Sequence, residues 1–143
     1  MFKKTVMILS MLSSFTVGAE QDTRLHVDFP PMMQEHMMSN MRDHLVTLQS
    51  ITLQLSLQNY DAAAEAAEQR LGMSSLDDHG AAHMGKMMPK EMGAIGTRMH
   101  RAASRFALVA KDAAVKGDSN KVFAALSEIM TQCVACHAAY KIH

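Results

Sequence analysis

Hydrophobic residues recur at helical spacing along much of this 143-residue chain. Pro30-Pro31 suits the first turn of a helix, because the N–H that proline lacks is unpaired there in any case. The apolar stripe that follows, with alternating spacings of four and three, comprises Met37, Met41, Leu45, Leu48, Thr52 and Leu55. This pattern predicts a first amphipathic helix of about five turns.

A second, shorter helix is rich in Ala and Glu. Asp61 is expected to cap its start, and Gly72 follows its end near Arg70. Residues 72–90 contain three glycines and a proline. They are therefore expected to form an extended connection with a short helical piece, longer than the usual loop between bundle helices.

Two further long helices complete the pattern. The third is predicted from about Glu91 to Lys116 and ends at Gly117. Its apolar stripe comprises Met92, Ile95, Met99, Ala102, Phe106, Val109 and Ala113. Asp118 or Ser119 is expected to cap the fourth. Its apolar face contains Val122, Leu126, Ile129, Cys133, Cys136, His137 and Tyr140. The cysteines and the histidine are thus expected on the buried side.

No segment alternates apolar and polar residues with a period of two, so a sheet is not expected. Three long amphipathic helices and one shorter helix predict an all-α domain. The expected architecture is an antiparallel four-helix bundle whose C-terminal helix carries the cofactor chemistry.

The N-terminus resembles an export signal. Lys3 and Lys4 precede an apolar stretch from Thr5 to Val17, and Val17-Gly18-Ala19 is a small-residue cleavage site. The stretch is short for a membrane span and is diluted by serines. We therefore predict a cleaved signal peptide over 1–19, a single mature domain over 20–143, and a periplasmic location.

Charge and composition exclude some partners. The chain has 14 basic and 14 acidic residues, and cleavage would remove two lysines, leaving a net charge of −2. A basic stripe is absent and aromatic residues are few, so nucleic acid is not an expected partner. No later segment resembles a membrane span, and the mature product is expected to be soluble.

The strongest chemical signal is the run Cys133-Val134-Ala135-Cys136-His137. In a helix, this spacing lets two thiols reach the two vinyl groups of one haem while the next imidazole meets the iron. A thioredoxin-like pair would need a helix N-terminus after a strand. A zinc site would need two further ligands, and a structural disulfide would leave His137 unexplained. The run predicts one covalently bound haem c per chain, with His137 as the proximal ligand.

The C-terminal third resembles the class II c-type cytochromes, which comprise cytochrome c′ and its six-coordinate relatives. The resemblance is carried by Ala113-Ala114-x-x-Gly117-Asp118, Lys121, Ala124-Ala125-Leu126 and Cys133-x-Ala135-Cys136-His137-x-Ala139-Tyr140-Lys141. It is firm over about residues 100–143, looser over helix one and weak over residues 60–98. Other c-type families usually place the haem motif near the N-terminus.

The resemblance implies a haem lying between the helices of a four-helix bundle that is often a homodimer. Arg42 resembles the helix-one arginine that sits near a haem propionate. The iron's sixth position faces helix one. An apolar residue there gives a five-coordinate iron open to NO or CO, whereas a methionine gives a carrier that exchanges electrons with redox partner proteins.

The sixth position remains open at the level of sequence. Aligning Arg42 with the family's arginine places Val46, which cannot ligate iron, at the distal position. Antiparallel geometry instead places the partner of His137 in the first turns of helix one. Met41 is favoured there, with Met37, Met38 and His44 as alternatives. The alternative for each of these methionines is that it fills the core, which is the commoner role of methionine on a helical stripe.

Twelve of the 15 methionines lie after residue 19, and ten of these form two groups interspersed with histidines, five over Met32–Met41 and five over Met84–Met99. Thioether and imidazole ligands suit Cu(I), so a copper-binding protein that also carries haem is a third functional class. Neither axial arrangement places an obvious acid–base pair at the iron. An electron carrier or gas binder is therefore expected rather than an enzyme.

Overall fold

The computed structural model describes residues 21–143, so the predicted signal peptide over 1–19 lies outside the described residues. The elements in chain order are β1 Leu25–His26, α1 Pro31–Ser56, α2 Tyr60–Arg70, a 3₁₀ turn Met73–Ser75, α3 Ala81–Met84, α4 Lys90–Lys116, α5 Ser119–Ala139 and β2 Tyr140–Lys141. The described chain is mainly helical, which confirms the predicted all-α class.

Local chemistry accounts for most helix ends. Asp118 caps α5, where its carboxylate accepts a hydrogen bond from the Lys121 N–H at 3.2 Å. Gly117 ends α4 in the left-handed conformation, with a φ of 77°. The cap of α2 differs from the prediction. Asn59, rather than Asp61, caps this helix by accepting from the Ala62 N–H at 3.4 Å, because it stands one residue before the first helical position.

The helices pack in a sequential chain of pairs: α1 on α2, α2 on α4, and α4 on α5. The main core lies between them and centres on Phe106, Ile51 and Ile129, each fully buried. Alanines on α2 and α4 allow those two helices to approach closely. Within residues 21–143, α1 and α5 share no comparable backbone contact.

The predicted stripe on α1 is wrong at Leu45 and Thr52. Both are exposed, Leu45 by 69%, whereas Ile51 is completely buried. The face of α1 covered by α2 is rotated from the predicted stripe and includes the polar residue Thr47. Thr47 tolerates burial because its hydroxyl donates to the Asp43 carbonyl at 2.9 Å. Leu45 and Thr52 are left facing outward.

A second apolar cluster, here called the terminal cluster, fills one end of the molecule. Its buried members are Val27, Phe29, Met37, Met84 and Met92, with Met33, Met41, Met88, Cys136, Tyr140 and Ile142 packed against them. It gathers the two chain ends of the described residues, the start of α1, α3 and the start of α4. The methionine-rich segments thus meet in one place.

The two chain ends form a very short parallel sheet. Leu25 pairs with Tyr140 and His26 with Lys141, and the Val27 N–H donates to the Lys141 carbonyl at 2.8 Å. The expectation of no sheet is wrong in this detail. A two-residue strand is too short to show alternation in the sequence.

Helix α5 is long and apolar enough, by length and composition, to cross a membrane, although only 17% of its most apolar window is buried. The sequence expectation that no segment after residue 19 resembles a membrane span is therefore too strong. Val122, Leu126 and Ile129 of α5 pack in the main core. An apolar helix that packs along only one face leaves apolar surface for something else to cover.

Candidate haem-attachment site

The Cys-x-x-Cys-His run occupies the last two turns of α5. Cys133 packs against the main core and Cys136 against the terminal cluster, so the pair bridges the two apolar clusters. Both cysteines are half-buried, whereas His137 is exposed. The expected burial thus holds for the thiols and fails for the imidazole.

Both cysteines are free thiols. Burial raises the pKa of the Cys133 thiol and of the Cys136 thiol above the usual value. Cys133 Sγ lies 3.5 Å from the Ile129 carbonyl, which accepts its hydrogen bond. Neutral thiols near the C-terminal end of a helix are unlike the activated thiolate of a redox-active pair at a helix N-terminus.

An exposed apolar stripe runs along α5 to the histidine. Phe123, Met130 and Val134 are exposed by 53%, 49% and 67%. Spacings of seven, four and then three residues place them on one face with His137. This stripe borders the buried face that carries Cys133. His137 therefore stands at the end of an apolar surface suited to a large flat apolar group.

Residues from the N-terminal segment hold the end of α5 in place. Arg24 Nη1 donates to the His137 carbonyl at 3.5 Å, and Lys141 Nζ lies 3.2 Å from the Asp22 carboxylate. Hydrogen bonds from Arg24 hold the pKa of Asp22 well below its usual range. Gln34 on α1 also donates to the Ile142 carbonyl at 3.0 Å. The motif is thus fixed relative to both β1 and α1.

The proposed partners of the motif on α1 fall into separate environments. Met37 is buried in the terminal cluster, and half-buried Met41 packs against the same cluster as Cys136. Met38 is half-buried on a neighbouring face. Val46 is 64% exposed, and Arg42 is exposed one turn before it. The structure brings Met37 and Met41, rather than Val46, into the cluster that contacts the motif.

His44 lies in a different place, among histidines. Its ring centroid is 4.8 Å from that of His79 and 6.2 Å from that of His100, and the latter two are 5.5 Å apart. Burial, with the neighbouring His79 and His100, lowers the pKa of His44 to about 4. Burial also lowers the pKa of His79 and the pKa of His100.

This histidine cluster was not predicted. One feature of the sequence could have indicated the burial of His44. Met37 and Ile51 are each seven residues away from His44, and this spacing places His44 on the buried face of α1. No local sequence pattern indicates that His79 and His100 lie close to His44. Both lie far along the chain, and only the path of the connection before α4 brings them to α1.

The methionine and histidine groups also meet at the surface. A groove of about 290 Å³ is lined by Met32, Met33, His36, Gly80, His83 and Met84. These residues belong to α1, to α3 and to the glycine directly before α3. The two groups inferred from sequence thus contribute to one shared groove.

Comparison of the chain with protein-family models, curated proteins and solved structures gives no match. The assignment therefore depends on the residues themselves. Two half-buried thiols one turn apart, an adjacent exposed imidazole and an uncovered apolar stripe fit the donors and surface that a covalent haem requires.

Proposed function

We propose that the chain is an exported monohaem c-type cytochrome that transfers single electrons between periplasmic partner proteins. The observation that carries this proposal is the position of His137 at the end of the exposed stripe Phe123, Met130 and Val134, beside the thiols of Cys133 and Cys136. The same helix thus carries two cysteines for attachment, a histidine that can bind iron, and an exposed apolar stripe.

In this proposal Cys133 and Cys136 hold the haem by thioether bonds, and His137 is the proximal ligand. The haem supplies one-electron redox chemistry when bound. Exposed Leu45 of α1 and the exposed stripe of α5 would supply apolar surface for the group. The wider arrangement would be the four-helix bundle of α1, α2, α4 and α5.

Met41 is the distal ligand that we favour, because it packs against the same cluster as Cys136. A thioether opposite histidine raises the reduction potential, which suits a carrier. If Val46 instead faces the iron, beside Arg42 at a propionate, the protein would bind NO or CO. Met37 and Met38 remain alternatives to Met41. His44 is a weaker one, because it lies among other histidines.

The attachment is tested by producing the chain with haem-maturation machinery and measuring intact mass after acid–acetone extraction. We expect one haem to remain bound to the native sequence. Cys133→Ser and Cys136→Ser should each leave one thioether, and the double variant should lose the haem to the solvent. Ser119→Ala on the same helix serves as the control. Full extraction of haem from the native chain would contradict the proposal.

The functional class is tested by visible spectra of the oxidised and reduced protein, with and without CO. A low-spin spectrum with a charge-transfer band from methionine to ferric iron, insensitive to CO, is the expected result. A high-spin spectrum that shifts with CO would replace electron transfer by gas binding. Recovery of the protein in periplasmic extracts checks its location.

Copper binding is a second candidate function, favoured by the groove between α1 and α3. Its lining offers three thioethers and two imidazoles, a donor set suited to Cu(I). Competition with a chromogenic Cu(I) chelator tests it. We expect Met32→Leu and His83→Gln to weaken binding by about tenfold each, whereas the exposed Met130→Leu should leave it unchanged. Equal affinities in all three variants would exclude this groove.

A further inference from the structure

Three histidines from distant parts of the chain meet beneath α1. His44 lies on α1, His79 in the connection before α3, and His100 on α4. His79 is 8% exposed and His100 is 8% exposed, so the meeting point is nearly closed to solvent. Imidazoles that converge away from water need a hydrogen-bonding or metal partner.

The Nδ1 atoms of His100 and His79 each make a hydrogen bond, and these hydrogen bonds determine which ring nitrogen carries the lone pair. The Leu71 carbonyl accepts from His100 Nδ1 at 2.8 Å, so the proton of that ring lies on Nδ1. Ser75 uses its hydroxyl proton on the Gly72 carbonyl at 2.8 Å, so its Oγ accepts from His79 Nδ1 at 3.4 Å. Both rings therefore carry a free lone pair on Nε2.

The third ring supplies the unexplained atom. His44 Nε2 is buried and has no hydrogen-bond partner within residues 21–143. Leaving a buried polar atom unsatisfied is unfavourable, and native proteins usually satisfy it with a protein group, an ordered water or an ion. The three histidines thus offer two Nε2 lone pairs and a third Nε2 that lacks a partner.

The separations of the rings approach those of a three-histidine metal site, with the His44–His100 pair about 1 Å wider. With a metal–nitrogen distance of about 2.0–2.1 Å, tetrahedral geometry places neighbouring ring centroids about 5 Å apart. The three observed separations are 4.8, 5.5 and 6.2 Å. The hydrogen bond from His100 Nδ1 to a backbone carbonyl is the usual outer-shell contact of a metal-bound histidine.

Metal binding also requires that the three imidazole rings point a nitrogen toward a common centre. As the side chains stand, no three His, Cys, Asp or Glu residues in the described chain have metal-holding geometry. The torsion about the Cβ–Cγ bond of histidine is broad, so a ring can turn at little cost. Turning His44 about this bond changes the direction of Nε2 far more than the position of its ring centroid.

We propose that His44, His79 and His100 form a binding site for one divalent transition-metal ion, with Zn²⁺ as the fitting chemistry and water as the fourth ligand. Imidazole donors suit Zn²⁺ and Cu²⁺, and three protein nitrogens leave one position open. This site contains no sulfur, which separates it from the haem motif and from the methionine groove. It does not depend on the proposed haem function.

The site also has a structural consequence. Metal bound by these three residues would join α1, the connection before α3, and α4 at a single point. The described residues make no extensive direct contact between the backbones of α1 and α4. The ion would therefore act as a staple across the main core, in the way that metals stabilise small domains.

The test titrates Zn²⁺ into the chelator-treated mature protein with its haem attached, or with Cys133 and Cys136 alkylated if no haem is present. We expect one Zn²⁺ per chain by calorimetry. X-ray absorption at the zinc edge should show nitrogen or oxygen neighbours at about 2.0–2.1 Å with imidazole scattering, and no sulfur at about 2.3 Å.

His44→Gln, His79→Gln and His100→Gln should each weaken Zn²⁺ binding by about 100-fold or more, whereas the exposed His143→Gln should leave it unchanged. Circular dichroism checks that each variant folds. The absorption spectrum of the native chain tests the site even if a variant unfolds. Absence of stoichiometric Zn²⁺ binding, or sulfur in the zinc shell, would overturn the proposal.

Discussion

His36 Nε2 donates to the carbonyl oxygen of His79 at 3.0 Å, and Asn40 Nδ2 donates to the same oxygen at 3.1 Å. Two side chains of α1, one turn apart, therefore hold one backbone carbonyl of the connection before α3. Gly80 follows directly, with a φ of 61°, and an added Cβ there would lie 3.1 Å from His36 Nε2. This contact positions His79 beside His44.

The double variant His36→Ala/Asn40→Ala should release this connection. Loss of both donors leaves a partly buried carbonyl unsatisfied, so we expect the free energy of unfolding to fall by about 1–3 kcal/mol. Amide exchange should quicken over residues 72–89 more than over α4. The exposed neighbour Ser39→Ala is the control, and unchanged exchange in the double variant would contradict the anchoring role.

His137→Ala tests the proximal assignment. The two thioether bonds do not involve the imidazole, so the haem should remain attached while the low-spin spectrum is lost. Visible spectra of the oxidised protein measure the change, and His143→Ala near the chain end is the matched control. A spectrum identical to that of the native protein would remove His137 from the iron.

Met41→Ala tests the distal assignment. If Met41 ligates the iron, its loss should convert the iron to high spin, permit CO binding and lower the reduction potential, because a thioether stabilises ferrous iron. Met73→Ala, on the 3₁₀ turn Met73–Ser75, provides a control for removing an exposed methionine that is not on α1. An unchanged spectrum would direct attention to Met37, Met38 and His44. A native protein already in the high-spin state would instead favour Val46.

Phe106→Ala should strongly destabilise the fold. Phe106 is completely buried in the main core, and removing its ring leaves a cavity that neighbouring helices fill only in part. We expect a loss of about 3–5 kcal/mol in chemical denaturation. Leu108→Ala on the same helix, at a site that is 70% exposed, should change stability by less than about 0.5 kcal/mol. Similar losses in both would contradict the described packing.

One glycine within α4 and one directly after it should respond oppositely to alanine. Gly93 lies within the helix with open space around the position that a Cβ would occupy, so Gly93→Ala should stabilise the protein by about 0.5–1 kcal/mol. Gly117 ends the helix with a φ of 77°, so Gly117→Ala should destabilise it by about 1–2 kcal/mol. Thermal denaturation of the two variants measures both, and shifts of the same sign would contradict this account.

The helix pattern was largely readable from the sequence because its causes are local. Pro31 begins α1, Gly117 ends α4, and Asp118 caps α5 through contacts within a few residues. The apolar stripe of α4 also proved correct, since both α2 and α5 cover that helix. The predicted stripe of α1 is wrong at Leu45. Hydrophobic periodicity shows that a helix has an apolar face, but it does not show which side of the helix a neighbouring helix will cover.

The Cys133-Val134-Ala135-Cys136-His137 run, with its prediction of a haem, came from the sequence alone, because its chemistry depends on spacing along one helix. Only the tertiary structure joined His44 to His79 and His100, and Met33 to Met84, across long stretches of chain. Those pairings depend on the path of residues 72–89 between α2 and α4. Spacing along the sequence determines which side chains share one face of a helix. The packing of distant segments determines which of those faces come into contact.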